Sequence, residues 1–366
     1  MLALLRSGDF TKNMPIYEKC FVFFVIWCGI LLLFSDNIWF ATRVFVKFAF
    51  PLLAFWLGRS LFRYKEMHVR PFRIWLKMSA VYVIFSGGVT WTIANMVYTT
   101  AGYVLNTFWA IVSDFGGVIA GPVLVAWRVF RNNWYLLLLV VWFASSTIYG
   151  VRTGILALLV GVSFFIIYYL GKKSFPFIFL FYLFAIGMFV FFPNLREKTF
   201  RDPDNINVQQ VFFNPTSVDT KTIDSSGRFY HWEFALDRFF YPQPIWGSGI
   251  GATQIYGYTE TYMGLRVIHS SYVRLLCDVG LIGFILYVST MLLCMIVAYK
   301  IYRSKTSYLA RIYALIVLTS FPALMVCMGF DNMLDYIVPV TQYPFLFTGI
   351  MMSAWREESK ILRLNR

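Results

Sequence analysis

Charge is what this chain has least of. Asp, Glu, Lys and Arg make up 14% of its 366 residues, where a soluble domain carries about 25%. Hydrophobic residues make up 59% and aromatics 20%. That much apolar surface cannot be kept from water in one core, which excludes a soluble globular protein. Segments of about ten alternating residues are missing too, which argues against a membrane β-barrel. Cysteine is sparse. Cys20, Cys28, Cys277, Cys294 and Cys327 lie in or beside apolar runs, share no ligand spacing and read as small core hydrophobes. The histidines are three, His68, His231 and His269. With no His/Cys cluster and no Asp-x-Asp in a membrane-proximal first loop, no metal and no cofactor are expected. Gly247, Gly249 and Gly251 match neither a dinucleotide fingerprint nor a P-loop. The N-terminus is polar to about Glu18 and its first apolar run continues as a span, so no cleavable signal peptide is expected. No internal repeat and no low-complexity tract is visible.

Apolar runs near 20 residues are what is there. A helix of that length crosses about 30 Å of hydrocarbon and satisfies its own backbone. The fold class read from this is an all-α polytopic integral membrane protein with about ten spans. They fall near 20–36, 38–58, 75–98, 107–127, 133–150, 153–171, 174–192, 272–299, 311–329 and 336–355. The formal net charge of +14 first suggests nucleic acid, but its distribution argues for none. The basic residues gather in short clusters between runs, at Lys12 and Lys19; from Arg59 to Lys77; at Arg128 and Arg131; at Lys172 and Lys173; from Lys300 to Arg311; and from Arg356 to Arg366. Ten spans put every cluster on one side, which is the positive-inside signal. That side is cytoplasmic, with both termini inside. Three regions follow: membrane helices over 1–192, a long periplasmic loop over 193–271, and membrane helices with a cytoplasmic tail over 272–366.

A loop of that length is functional or disordered. Phe229, Tyr230, Trp232, Phe234, Leu236, Phe239, Phe240 and Tyr241 are too many large apolar groups for a solvated tail. Ser226-Gly227-Arg228 reads as a turn and helix start, with Glu233 and Asp237 at i,i+4. Pro242 and Pro244 end that helix, and Gly247, Gly249 and Gly251 allow a tight turn. Residues 202–224 carry fewer signals and read as a flap.

Chemistry-bearing residues gather on the loop side. Arg152 stands at the outer junction of spans five and six, either snorkelling or meeting a ligand. Arg228 opens the loop helix and is either solvated, bonded to Asp224 or Glu233, or a ligand contact. His269 lies where the loop returns to the membrane, and imidazole is the side chain best poised for proton transfer near neutral pH. Arg266, three residues earlier, shares its face if that segment is helical. Asp331-Asn332 and Asp335 follow span nine and could pair with a base or cap a helix. Arg43 and Lys47, four apart in span two, could face substrate or pair. Two or three guanidiniums with one imidazole, framed by aromatics, suit phosphate or pyrophosphate on a sugar or isoprenoid carrier.

The stretch "SSGRFYHWEFALDRFFYPQPIWGSGIG" followed by "HSSYVRLLCDVGLIG", with "VRTGILALLVG" upstream, resembles the signature region of the O-antigen polymerase and O-antigen ligase superfamily. The order of the three motifs matches, over roughly residues 145–300. The resemblance implies a bacterial inner-membrane glycosyltransferase of the GT-C type, metal-independent. Its donor would be an oligosaccharide on undecaprenyl pyrophosphate. Carried over by position, Arg152 and Arg228, with Arg266, would hold the pyrophosphate and His269 would activate the acceptor. Asp331, Asp278 and Glu233 would support them. Ser270 stands where an asparagine often follows the histidine, and Asp278 where glutamate is common. A polymerase, with a chain-length co-polymerase as partner, is the first reading and a ligase onto lipid A–core the second. A transporter of lipid-linked sugars is the non-enzyme alternative, and membrane lipid is a partner in all three.

Overall fold

The structure is a computed structural model, and it describes residues 14–61, 70–84, 101–148, 151–191, 228–259, 268–304, 307–336 and 338–364. Among the described residues all regular structure is helical. The helices are α1 (Ile16–Leu32), α2 (Ile38–Leu61), α3 (Arg70–Ile84), α4 (Ala101–Phe130), α5 (Trp134–Ile148), α6 (Arg152–Leu170), α7 (Ser174–Phe191), α8 (Arg228–Ala235), α9 (Ala252–Thr259), α10 (Ser271–Arg303), α11 (Tyr308–Phe330), α12 (Met333–Tyr336) and α13 (Val338–Leu364). A tight turn, Gly171–Lys173, joins α6 to α7, and a π turn, Leu236–Phe240, extends α8.

Four segments are long and apolar enough to cross a membrane: Ile38–Ser60, Arg152–Gly187, Ser271–Arg303 and Tyr308–Phe330. Shorter apolar helices cover Gly116–Phe130 and Trp134–Ala144. On α7 the exposed face is apolar, with Phe175, Leu180 and Phe184 all more than half exposed. Water would not tolerate that surface, and hydrocarbon does. The chain is therefore a multi-pass membrane protein whose regular structure, among the described residues, is all helical.

It divides into two compact units, each with its own packing logic. The first comprises Met1–Arg63, Trp232–Val317 and Thr341–Arg366. Its core is aromatic: Phe21, Phe24, Phe55, Tyr287 and Phe345 meet edge to face or tilted at 5.1–6.4 Å between ring centroids. The ring quadrupole favours that geometry. Here α2 and α13 approach backbone to backbone, because a Cβ on Gly58 would meet the Leu346 carbonyl and one on Gly349 the Phe55 carbonyl. A buried pair, Arg59 to Glu18 at 2.6 Å, closes that end, and Ser353 donates to the Arg59 carbonyl.

The second unit comprises Tyr64–His231 and Leu318–Val340. Small residues set its spacing. A Cβ on Gly117 of α4 would lie 2.5 Å from the Gly154 carbonyl of α6, and Gly121 faces Thr319 of α11 as closely. In lipid such close approach replaces the hydrophobic drive between helices.

The expected span over 272–299 lies within α10, which carries one feature the run did not show: it kinks at Gly280, whose φ of 66° and ψ of −172° are non-helical. The last helix also continues past the expected end of span ten, to Leu364.

Candidate functional site

The glycine-rich turn of the long loop is inserted into the break of α10. Gly247, Gly249 and Gly251 hold φ of 76°, 101° and 79°, open to glycine at little cost. That lets the turn lie against the helix and satisfy the backbone groups the break sets loose. Ser248 N–H donates to the Cys277 carbonyl at 2.8 Å, Leu281 N–H to Pro244 O at 2.9 Å and Ile282 N–H to Ile245 O at 3.4 Å. The Trp27 indole donates to Val279 O at 2.9 Å, and its ring stacks on Trp246. Broken helices at membrane depth persist only where protein re-satisfies the backbone in this way.

Asp278, two residues before the break, is fully buried. Its Oδ1 accepts from the Thr253 amide at 3.1 Å and from the Thr253 hydroxyl at 2.8 Å, and its Oδ2 accepts from Arg274 Nε at 3.3 Å. Thr253 is the second residue of α9, so its N–H is one of the donors a helix start leaves without an internal partner. Asp278 thus caps α9 from another helix, where the dipole favours a carboxylate. Arg274 is also buried, its guanidinium 5.4 Å from the centre of the Phe48 ring.

These contacts anchor the first half of α10, whose entrance carries His269. Ser270 is its N-cap, accepting from Val273 N–H at 3.3 Å. His269 comes immediately before, half-buried, and its carbonyl accepts from the Trp232 indole at 3.2 Å. Ala235, Ile268 and Cys277 pack with Trp232, Leu236, Phe239, Phe240 and Val273, and Cys277 Sγ donates to the Ala235 carbonyl at 3.4 Å. The backbone of His269 is therefore held from the loop helix and from α10.

In the second unit, Arg228 is the first residue of α8, and its Nη1 donates to the Phe330 carbonyl at 2.7 Å. Phe330 ends α11, so the guanidinium sits where the helix dipole favours a cation. Asp331 follows, half-buried; its amide donates to Cys327 O, and its Oδ1 accepts from the Asn332 amide at 2.7 Å. Arg152 is the first residue of α6, half-buried, after an N-cap without a side-chain cap bond. A cation gains nothing from a helix N-terminus. Guanidinium and helix start together offer positive potential to an anion. Thr153 and Gly154, packed inside, fix the position.

The structure thus places Arg152, Arg228 and Asp331 in one unit and His269, Asp278 and Glu233 in the other, with Glu233 exposed on α8. Arg266 lies outside the described residues, as does the stretch over 202–224. His231 is buried, unlike His269. Arg274, Thr253 and Trp27 escaped the sequence reading. Arg274 and Asp278 did carry a signal, opposite charges four apart in an apolar run. Thr253 carried none, since 25 residues separate it from Asp278.

Residues 135–288 match the family model described as O-Antigen ligase. The match covers that segment, which is less than half of the chain. It runs from α5 through the break in α10 and includes Arg152, Arg228, His269, Arg274 and Asp278. The resemblance to the O-antigen polymerase and ligase superfamily therefore holds over the region where the three motifs stand in order. In a multi-pass chain, a match of this kind supports an inner-membrane enzyme of lipopolysaccharide assembly. No curated protein matches the chain.

Proposed function

We propose that this protein is a GT-C-like glycosyltransferase that polymerises O-antigen, or a related surface polysaccharide, from repeat units on undecaprenyl pyrophosphate. The observation that carries the reading is the family segment itself, which contains Arg152, Arg228 and His269 in the expected order. In this reading Arg152 and Arg228, with Arg266, bind the pyrophosphate and take up the charge that grows on it as the glycosidic bond breaks. His269 removes the proton from the acceptor hydroxyl as that oxygen attacks the anomeric carbon. Attack opposite the leaving group inverts the anomeric centre. Pyrophosphate is a good leaving group, so the residues suffice without a metal. The long loop is periplasmic, both termini are cytoplasmic, and the spans number about ten, as the basic clusters indicate.

The description of the matching family favours a second reading, transfer of finished glycan to lipid A–core. The lipopolysaccharide of a deletion strain separates the two on a gel. One repeat unit on core supports the polymerase. Bare core with polymer left on the lipid carrier supports the ligase. Unchanged lipopolysaccharide and an unchanged pool of lipid-linked glycan would overturn both. Reporter fusions test the topology, with periplasmic signal expected at Tyr256 and cytoplasmic signal at Lys65, Lys172 and Lys305.

A further inference from the structure

We infer that the end of the second unit formed by the start of α3 and the ends of α4 and α6 binds the phosphate headgroup of an anionic phospholipid. Seven cations gather on these elements: Arg70, Arg73, Lys77, Arg128, Arg131, Lys172 and Lys173. Over residues 70–84, 116–133 and 164–180 there is no carboxylate to offset them. Two of the guanidiniums are held on rings. Arg73 lies 4.8 Å from the centre of Phe130, which stacks on Phe72, and Arg128 lies 5.3 Å from Tyr169, which stacks on Phe165. A ring under a guanidinium takes its face and leaves the N–H groups on its edge pointing outward. Arg73 and Arg128 are both exposed.

A second observation is backbone conformation. Arg131 holds φ of 50°, the one non-glycine residue with positive φ among the described residues. Asparagine, which tolerates that conformation far better, stands immediately after it at Asn132 and Asn133. Those two are otherwise engaged: Asn132 accepts from the Trp134 amide, and Asn133 from the Trp127 indole. The chain therefore ends α4 on a strained arginine, three residues from Arg128. Non-glycine residues held in such conformations cluster at functional sites.

The surroundings select the source of the phosphate. Trp134 and Phe175 are each about three-quarters exposed, and Leu137 and Phe177 about half. The cations thus border apolar surface that must lie in lipid, with tryptophan at the level of the headgroups. A soluble anion would use only the charges, whereas a phospholipid uses both. A forked guanidinium matches two phosphate oxygens, and the lysines add charge at range. Orientation in the membrane needs only the number of Lys and Arg residues on one side; arginines seated on rings go beyond that.

The test keeps the charge and removes the fork. Full-length protein in detergent is titrated with cardiolipin, phosphatidylglycerol, phosphatidylcholine or inorganic phosphate, reading bound lipid by native mass spectrometry and melting temperature. Wild type should retain the anionic lipids and melt higher with them, and show neither effect with phosphatidylcholine or phosphate. Arg73→Lys/Arg128→Lys retains all seven cations and should bind about tenfold more weakly, since an ammonium cannot fork. Phe130→Leu, which removes a ring and no charge, should weaken binding in the same direction. Equal retention of phosphatidylcholine, an equal response to phosphate, or undiminished anionic binding by both variants would overturn the inference.

Discussion

Gly247 and Gly280 meet backbone to backbone: a Cβ built on either would stand 2.5 Å from the amide nitrogen of the other. Both residues also hold positive φ. Gly280→Ala should therefore cost about 2–4 kcal/mol, combining backbone strain with overpacking, and abolish activity. Gly249→Ala meets nothing within 4 Å but keeps the strained φ, and should cost only about 1 kcal/mol. Gly187→Ala, inside α7 with open space around it, should be neutral or stabilising. Melting temperatures in detergent rank the three. A tolerated Gly280→Ala would refute the account of the break.

Asp278 joins α9 to α10, so its variants should fall in an order set by what each retains. Asp278→Ala leaves Arg274 buried without its carboxylate and should destabilise by about 3–5 kcal/mol. Asp278→Asn keeps a carbonyl oxygen for Thr253 and should lose less. Thr253→Val removes one hydroxyl and keeps the backbone N–H, for about 1 kcal/mol. If Asp278→Ala matches wild type in melting temperature, the cap is not what holds α9.

Arg228→Ala should abolish polymer while protein level in the membrane stays near wild type. One bond to the Phe330 carbonyl contributes about 1–3 kcal/mol to the fold, whereas the proposed pyrophosphate contact is charge-assisted and partly desolvated. Arg228→Lys can still reach a carbonyl but cannot fork onto two oxygens, so activity should recover poorly. Immunoblot and lipopolysaccharide gel together distinguish a folding defect from a binding defect.

The two loop histidines should separate by mechanism. His269→Ala should bind the lipid-linked donor nearly as wild type and turn it over about 10²–10⁴-fold more slowly, the usual range for a general base. His231 is buried, so His231→Ala should lower the melting temperature yet preserve turnover per folded molecule. Activity of the purified enzyme should persist in EDTA. Loss of catalysis in His231→Ala with a fully active His269→Ala would reverse the assignment.

Much of this was legible in the residues, because hydrophobic run length and glycine act locally. The helices described for spans one, two, four to seven and nine lie close to where their apolar runs predict them. The three glycines expected to allow a tight turn hold positive φ. The break at Gly280 was not legible, because Val279 and Leu281 continue the apolar pattern on both sides. What interrupts the helix is a turn more than thirty residues earlier in the chain. The arginine motif, the histidine and Asp278 as a supporting carboxylate could be named, but not what Asp278 holds. Its bonds to Thr253 exist only once α9 is folded against it.

The break also changes which solvent each part of α10 must suit. Residues 281–303 alone run about 34 Å at ~1.5 Å per residue, enough for about 30 Å of hydrocarbon. Residues 271–279 are thereby released from crossing duty, and they are the part that carries Arg274 and Asp278. Lipid judges the longer piece, and any apolar side chain of reasonable size satisfies it. Protein judges the shorter piece, where both oxygens of Asp278 and the Nε of Arg274 have set partners. One helix therefore obeys two rules of substitution, permissive after Gly280 and strict before it, and His269 stands at the strict end.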